Sequence, residues 1–413
     1  MTGTERVIPS LTVETTETGD PGPLVPLLDR AHPLLWTRRG FGLVGLGEAL
    51  RLEFSGPTRM TDAAAVWRRV AAAARITDPL DRTGTGLVAL GSFAFSEHSS
   101  QTSLLIVPSV VIGRDHDRSW VTRIAVGEAD LPTAPPADPV DGGYRVEFGP
   151  GSMSAEGYRD AVATAVTRLR GHELSKVVLA RDLVGLLPDG ADLRAVIAAL
   201  DLAYPDCWTF AVDGFIGSSP ETLVSVDDGT VSARVLAGSA ARGTDARSDQ
   251  DAATALATSS KDQDEHQYAV QSVLAALRRH SPNVMASEIP FTLRLPNLWH
   301  LASDVEGDLT DGSTSLDLLA ALHPTAAVAG TPTEDALRLI EELEPFDRGR
   351  YAGPVGWVGA DGDGEWAVAV RSAQVTAGRI TAYAGAGIVA ESVPERELLE
   401  TRMKFRPIVE ALS

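Results

Sequence analysis

The chain has 413 residues, 44% of them hydrophobic and 22% charged, with a formal charge of −20. That apolar share supports a full core and excludes a chain disordered throughout, while the negative balance argues against non-specific nucleic-acid binding. No apolar run approaches the ~18 residues of a membrane span. The N-terminus lacks the basic and apolar regions of a secretory signal. The single cysteine, Cys207, excludes a disulfide framework or a Cys-rich metal site, so a cytoplasmic protein is expected.

In chain order, residues 1–22 are rich in Thr, Glu, Gly and Pro and read as a mobile tail. A helix is expected over 61–76 and a strand over 86–95. Residues 104–113 contain Pro108, which suits an edge strand or two short strands. PTAPPADP at 132–139 is the most linker-like internal stretch and precedes a motif-dense part, 150–413. A helix follows at 156–171 and a strand at 176–184. Consecutive strands are expected from Cys207 to Gly238, with a hairpin turn at the DDG of 227–229. Residues 257–280 read as one helix with an apolar stripe of Val270, Val273, Leu274 and Leu277. Strands at 354–359, 366–372 and 379–385 lead into a last helix at 392–410. Runs of sequential strands with interspersed helices predict an α+β fold with large, mainly antiparallel sheets. No repeat, GxGxxG strand–helix turn, GxxxxGK[ST], HExxH or GxSxG is present.

Several residues could carry chemistry, and each also has a plain structural reading. Lys176 opens an apolar strand, where burial favours a neutral amine, or it snorkels at a strand end. Glu221 follows Ser219 and Pro220 between two strands, as a carboxyl of raised pKa or as an exposed turn residue. Glu265 lies off the apolar stripe of its helix, which a solvated face would also explain, whereas His266 lies nearer the stripe and reads as a packed histidine. Glu397, Glu400 and Lys404 share one helix face, as a carboxylate metal site beside a cation or as an exposed Glu–Lys pair. Carboxylates without cysteine point to Mg²⁺ rather than Zn²⁺. VLAGSA (235–240) and AYAGAGIV (382–389) offer glycine turns whose N–H groups can approach an anion, and Arg371 ends EWAVAVR as a fork donor.

Together these segments resemble the chorismate-utilising enzymes, a family of isochorismate, salicylate, anthranilate and aminodeoxychorismate synthases. The matching blocks are KVVLAR, GSSPETL, VLAGSAARG, SSKDQDEH, LPNLWHLASDVEG, LHPTAAVAG, ELEPFDRGRYAGPVGWV, GDGEWAVAVRSA, YAGAGIV and ESVPERELLETRMK, in the family's order over roughly 176–404. The resemblance implies one large fold over 23–413, two stacked sheets with peripheral helices, with 132–139 a connection inside it. It implies chorismate as substrate and Mg²⁺ as cofactor. By resemblance, Lys176 activates water and Glu221 protonates the departing hydroxyl. Glu265 and Glu400 hold Mg²⁺, with Glu397 on a metal-bound water. Gly238, Ser239, Arg371, Gly385 and Lys404 contact substrate, while His300, Ala327 and Tyr351 line the pocket. Two positions depart from the family's usual pattern: Ala326, often proline, and Leu398–Leu399, where an aromatic residue is usual.

Among the family's reactions, isochorismate synthase is expected. Lys176 matches water-adding members, and amine-adding relatives lack it. Ala237 stands where aminodeoxychorismate synthases carry lysine, so no amidotransferase subunit is expected. Salicylate synthase, which goes on to eliminate pyruvate, is the alternative. Ala327 disfavours it, because salicylate synthases tend to carry threonine there. Chorismate and isochorismate are the expected partners of a monomer that binds neither nucleic acid nor membrane. Menaquinone and catechol siderophores are both fed by isochorismate.

Overall fold

Alternating and fully apolar strand segments recur along the whole chain, and they pair into two sheets of thirteen and ten strands among the described residues, 8–140, 142–295 and 298–413, of the computed structural model. Every strand pairing is antiparallel except that of Leu11–Thr18 with Arg75–Thr77. The first sheet begins Gly149–Pro150, Lys176–Leu186, Arg379–Ile388, Ser372–Thr376, Phe215–Ser219, Trp208–Val212 and then continues into Leu34–Arg38. In the second, Thr222–Asp227 lies between Thr230–Ala241 and Gly364–Val368, and Pro354–Gly359 leads on to Val88–Ser92. Both sheets therefore mix strands from before and after residues 132–139. Apolar side chains between them form one core that runs from Leu11 to Leu398. No described helix is long and apolar enough to cross a membrane.

Several expected elements form as read. The helix at 156–171 is Ala155–Arg170, capped by the Ser154 hydroxyl on Gly157 N at 3.0 Å. The DDG turn joins Thr222–Asp227 to Thr230–Ala241, with Asp228 and Gly229 both at positive φ (45° and 74°), as a primed hairpin turn requires. Residues 104–113 become two strands broken at Pro108–Ser109, Ser103–Val107 in the second sheet and Val110–Arg114 in the first.

Three expectations are corrected. The tail reading of 1–22 fails over Leu11–Thr18, which pairs along its whole length with Ser119–Val126. Leu11, Val13 and Thr15 alternate inward and are buried, and threonine is itself a good strand former; residues 1–7 lie outside the described residues. The helix expected at 257–280 forms as Ser260–Leu277, with its start corrected to Ser260, and a separate helix, Ala246–Thr258, precedes it. Ser259 takes extended geometry and its hydroxyl accepts from Asp262 N, so a serine cap interrupts the helical pattern. The strand at 366–372 stops at Val368, and Arg371 lies beyond it at φ 55°.

That last correction locates the site. The chain crosses from the first sheet to the second at Pro220–Glu221, and back again between Val368 and Ser372. Proline has no N–H to continue a ladder, and a left-handed residue turns the strand out of its sheet. The two crossings brace each other: Ser219 Oγ donates to Val368 O (2.6 Å), and Val368 N donates to Glu221 O (3.0 Å). Gly217 is required beside them, since a Cβ there would lie 2.8 Å from Ser372 Cβ and 2.9 Å from Arg371 O.

Candidate active site

A cavity of about 250 Å³ opens where the two crossings meet the ends of the neighbouring strands and helices. All thirteen residues singled out from the sequence line it: Lys176, Glu221, Gly238, Ser239, Glu265, His300, Ala327, Tyr351, Arg371, Gly385, Glu397, Glu400 and Lys404. They arrive from ten separate segments, so neither sheet alone could assemble them.

Lys176 is the first residue of Lys176–Leu186, and its side chain passes over Gly387 of the adjacent strand Arg379–Ile388. A Cβ at Gly387 would sit 2.9 Å from Lys176 Cε, so glycine makes room for the lysine. Gly385, two residues earlier, faces the same cavity, as the period of a strand dictates. Helix Pro394–Ala411 packs on that strand and presents Glu397, Glu400 and Lys404. Helix Ser260–Leu277 supplies Glu265 from another wall.

Thr230–Ala241 is irregular where it borders the cavity. Its register with Leu298–Asp308 shifts between Leu236 and Ser239, with Gly238 at φ 80° inside the bulge. The bulge re-aims the chain. His266 hooks it, its ring lying 3.2 Å from Ala237 O and 2.8 Å from Ser303 Oγ. Burial lowers the His266 pKa. His266 is thus the packed histidine that its place near the stripe suggests.

The charges alternate around the cavity. Lys176 Nζ lies 2.6 Å from Glu265 Oε1, and Lys404 Nζ lies 2.6 Å from Glu400 Oε1 while donating to Gly385 O at 2.9 Å. Burial alone would raise Glu400, but Lys404, then Arg371 and Lys176, outweigh it and hold the carboxyl below its usual value. At Glu221 burial dominates: it pushes the carboxyl up to about 7 against the pull of Arg371, Lys176 and Lys404. His300 goes the other way. Burial, with help from Arg371 and Lys404, lowers it to about 3, so the ring is neutral. Its Nδ1 shares a 2.7 Å hydrogen bond with Ser239 Oγ, and its buried Nε2 has no partner among the described residues. Tyr351 stacks on Tyr383 at 5.3 Å, and burial raises its phenol to about 12.

Asp262 also lines the cavity and was missed in the sequence. It lies three residues before Glu265 on the same helix, an i, i+3 relation that puts both on one face. Gly387 had a readable signal too, the G-A-G alternation of AYAGAGIV.

The donor set facing the cavity is hard oxygen, the kind Mg²⁺ takes. Among the described residues no three acidic or histidine side chains converge as a closed protein cage. Mg²⁺ does not need one, because it is commonly held by one or two carboxylates together with water and substrate oxygens. Glu265, Glu400 and Glu397 on one cavity fit that mode.

A two-sheet fold that gathers three cations and several carboxyls in one cavity at its sheet crossings has the make-up of an enzyme site. The chain belongs to the chorismate binding enzyme family, whose pattern matches residues 27–135 and 146–413. It is similar to the isochorismate synthase DhbC of Bacillus subtilis (strain 168), 40% identical over 269 residues, covering 62% of this chain and 68% of that one. It is also similar to isochorismate synthase EntC of Escherichia coli (strain K12), 37% identical over 254 residues, covering 60% and 65% of the two chains. Among solved structures it resembles MenF, the menaquinone-specific isochorismate synthase from Escherichia coli, with a TM-score of 0.80, 26% identity and 98% of this chain covered against 95% of that one.

Proposed function

We propose that this protein is an isochorismate synthase, an isomerase that interconverts chorismate and isochorismate. One feature of the cavity carries the reading: Glu221, a carboxyl that keeps its proton near neutrality, shares the wall with Lys176. Lys176 takes a proton from the water that attacks C2. Glu221 gives its proton to the C4 hydroxyl as that group departs. An acid whose pKa is about 7 can donate at neutral pH and be reprotonated from the medium.

Substrate is a dianion entering a chain of net charge −20, so the site needs local positive charge. Arg371 and Lys404, with the Gly385 backbone, receive one carboxylate. The neutral His300 Nε2 and the Ser239 hydroxyl offer polar contacts, Gly238 lets the bulge approach closely, and Tyr351 packs against the ring. Glu265 and Glu400 would hold Mg²⁺, with Glu397 on a metal-bound water; the cation would supply Lewis acidity and charge neutralisation at the second carboxylate. Glu265 then has two claimants, since it already pairs with Lys176.

The enzyme works as a monomer without an amidotransferase subunit, in the cytoplasm. One fold, into which Leu11–Thr18 is also built, accommodates the whole reaction.

The product is isochorismate, and the reaction stops there. Pyruvate elimination requires the enolpyruvyl side chain to be pressed into a reactive pose. Ala327 at the cavity wall has no hydrogen-bonding group and leaves that side chain room to relax. Incubation with chorismate and Mg²⁺ is expected to give a mixture of chorismate and isochorismate on chromatography. Salicylate fluorescence and a lactate dehydrogenase assay for pyruvate should stay at background. Stoichiometric release of both products would instead make this a salicylate synthase.

Arg371→Lys keeps a charge but loses the planar fork. It is expected to lower kcat/KM about tenfold, in line with the ~1.4 kcal/mol per decade of a lost charged hydrogen bond. An unchanged value in steady-state kinetics would leave Arg371 a purely structural turn residue.

A further inference from the structure

A buried ion pair completes the strand that carries Lys176. Strand Lys176–Leu186 is paired along one edge with Arg379–Ile388. On its other edge, Gly330–Thr331 covers Lys176 and Val177, and Gly149–Pro150 covers Leu183 and Val184. Between those short partners the exposed ladder groups meet side chains. Glu344 Oε1 accepts from Ala180 N at 2.7 Å, and Arg348 Nη2 donates to Val178 O at 2.7 Å. Glu344 and Arg348 also grip each other, Nε to Oε2 at 2.8 Å and Nη2 to Oε1 at 2.6 Å. Their side chains are 1% and 3% exposed, and Phe95 lies under the guanidinium at 4.5 Å. The remaining arm, Arg348 Nη1, donates to Val328 O at 2.9 Å.

These anchor points border the catalytic cavity. Val178 and Val328 line it, Lys176 is two residues before Val178, and Ala327 immediately precedes Val328. Ala180 is the cross-strand neighbour of Gly385. Tyr351 N donates to Arg348 O at 3.0 Å, so the aromatic wall hangs from the same residue. We infer that Glu344 and Arg348 are positioning residues that hold the Lys176 strand and the Ala327–Val328 turn in one fixed relation, and so set the geometry of base against substrate. Neither side chain lines the cavity, so their effect is transmitted through backbone. Displacements of ~1 Å at a catalytic group can cost ~10²-fold in rate. This inference rests on the isochorismate synthase reading for its kinetic arm.

The test uses the full chain with Arg348→Lys, which keeps the charge but cannot reach two carbonyls and a carboxylate together, and Glu344→Gln, which keeps an acceptor for Ala180 N. Melting curves first define a temperature at which each variant is folded. There, Arg348→Lys is expected to lower kcat by about 10- to 100-fold with KM within about threefold of wild type. Glu344→Gln should lose less, because its acceptor remains. Amide exchange should quicken within 176–182 and 325–331 and stay unchanged in other segments. Folded variants with wild-type kcat would overturn the inference, as would a loss of rate that tracks the unfolded fraction. If Arg348→Lys does not fold, Phe95→Leu decides: it loosens the guanidinium with both charges kept, and an unchanged kcat sinks the idea. Should wild-type protein leave chorismate untouched, the functional reading fails, and the exchange pattern alone judges the positioning role: localised loss of protection supports it and a uniform change refutes it.

Discussion

Lys176→Ala and Glu221→Ala are each expected to reduce kcat by at least ~10²-fold, the lower end of what a positioned acid or base contributes. The two losses arise from different states of the side chains. Lys176 pairs at 2.6 Å with Glu265, so its removal also leaves a carboxylate without its cation. Glu221 is held mostly protonated below neutrality, so Glu221→Gln preserves size and hydrogen bonding but removes the transferable proton. The glutamine variant should therefore fold as well as wild type and still lose turnover. If Glu221 served only as part of the turn, both substitutions would leave rates near normal, and steady-state kinetics on folded protein would show it.

The same carboxyl makes a pH signature in stability. The folded state binds the Glu221 proton more tightly than the unfolded chain does, since its pKa rises from 4.5 to about 7. The folded protein thus gains from this group at low pH and loses that gain as pH rises from about 4.5 to about 7, with no further change above. The full swing is at most roughly 3 kcal/mol, from 1.36 kcal/mol per pKa unit. Glu221→Gln should remove this slope, seen as a difference between wild-type and variant denaturation midpoints across that window. Parallel pH curves would show that the carboxyl is not buried in the way described.

Chelation with EDTA is expected to abolish turnover, and Glu265→Ala and Glu400→Ala should each do nearly the same in the presence of Mg²⁺. The expectation rests on the donor set: Glu265 and Glu400 face one cavity, and each is paired with a lysine rather than with a second acid. Calorimetric titration of Mg²⁺ into protein with chorismate should lose its heat in both variants. Full activity in chelated buffer would refute the cofactor assignment, and so would alanine variants that keep wild-type rates.

Much of this protein was legible in its residues. Period-2 alternation and turn chemistry are local, so the DDG hairpin, the strand at 354–359 and the helix at 156–171 could be read directly. The candidate site was legible through ordered motifs, because each block keeps its residue types together even where the chain folds them far apart. Composition misled at Leu11–Thr18: LTVETTET looks like a polar tail, yet its inward residues bury against Ser119–Val126, a partner over 100 residues away.

What the residues alone determined was which groups are present: a lysine, four acids, two further cations and the glycines that let backbone and side chains crowd together. Tertiary structure decided what those groups can do. Glu221 in an exposed turn would be an ordinary carboxylate; at a sheet crossing braced by Ser219 and Val368 it is desolvated and holds a proton near neutrality. Arg371 looks like the end of a strand, yet a left-handed turn carries it between the sheets. The Glu344–Arg348 pair lies within one family block, but the gap it fills in the Lys176 strand exists only once that strand has its neighbours. Propensity and pattern act over a few residues, whereas desolvation and ladder completion depend on groups brought together across hundreds, and only the folded chain supplies those.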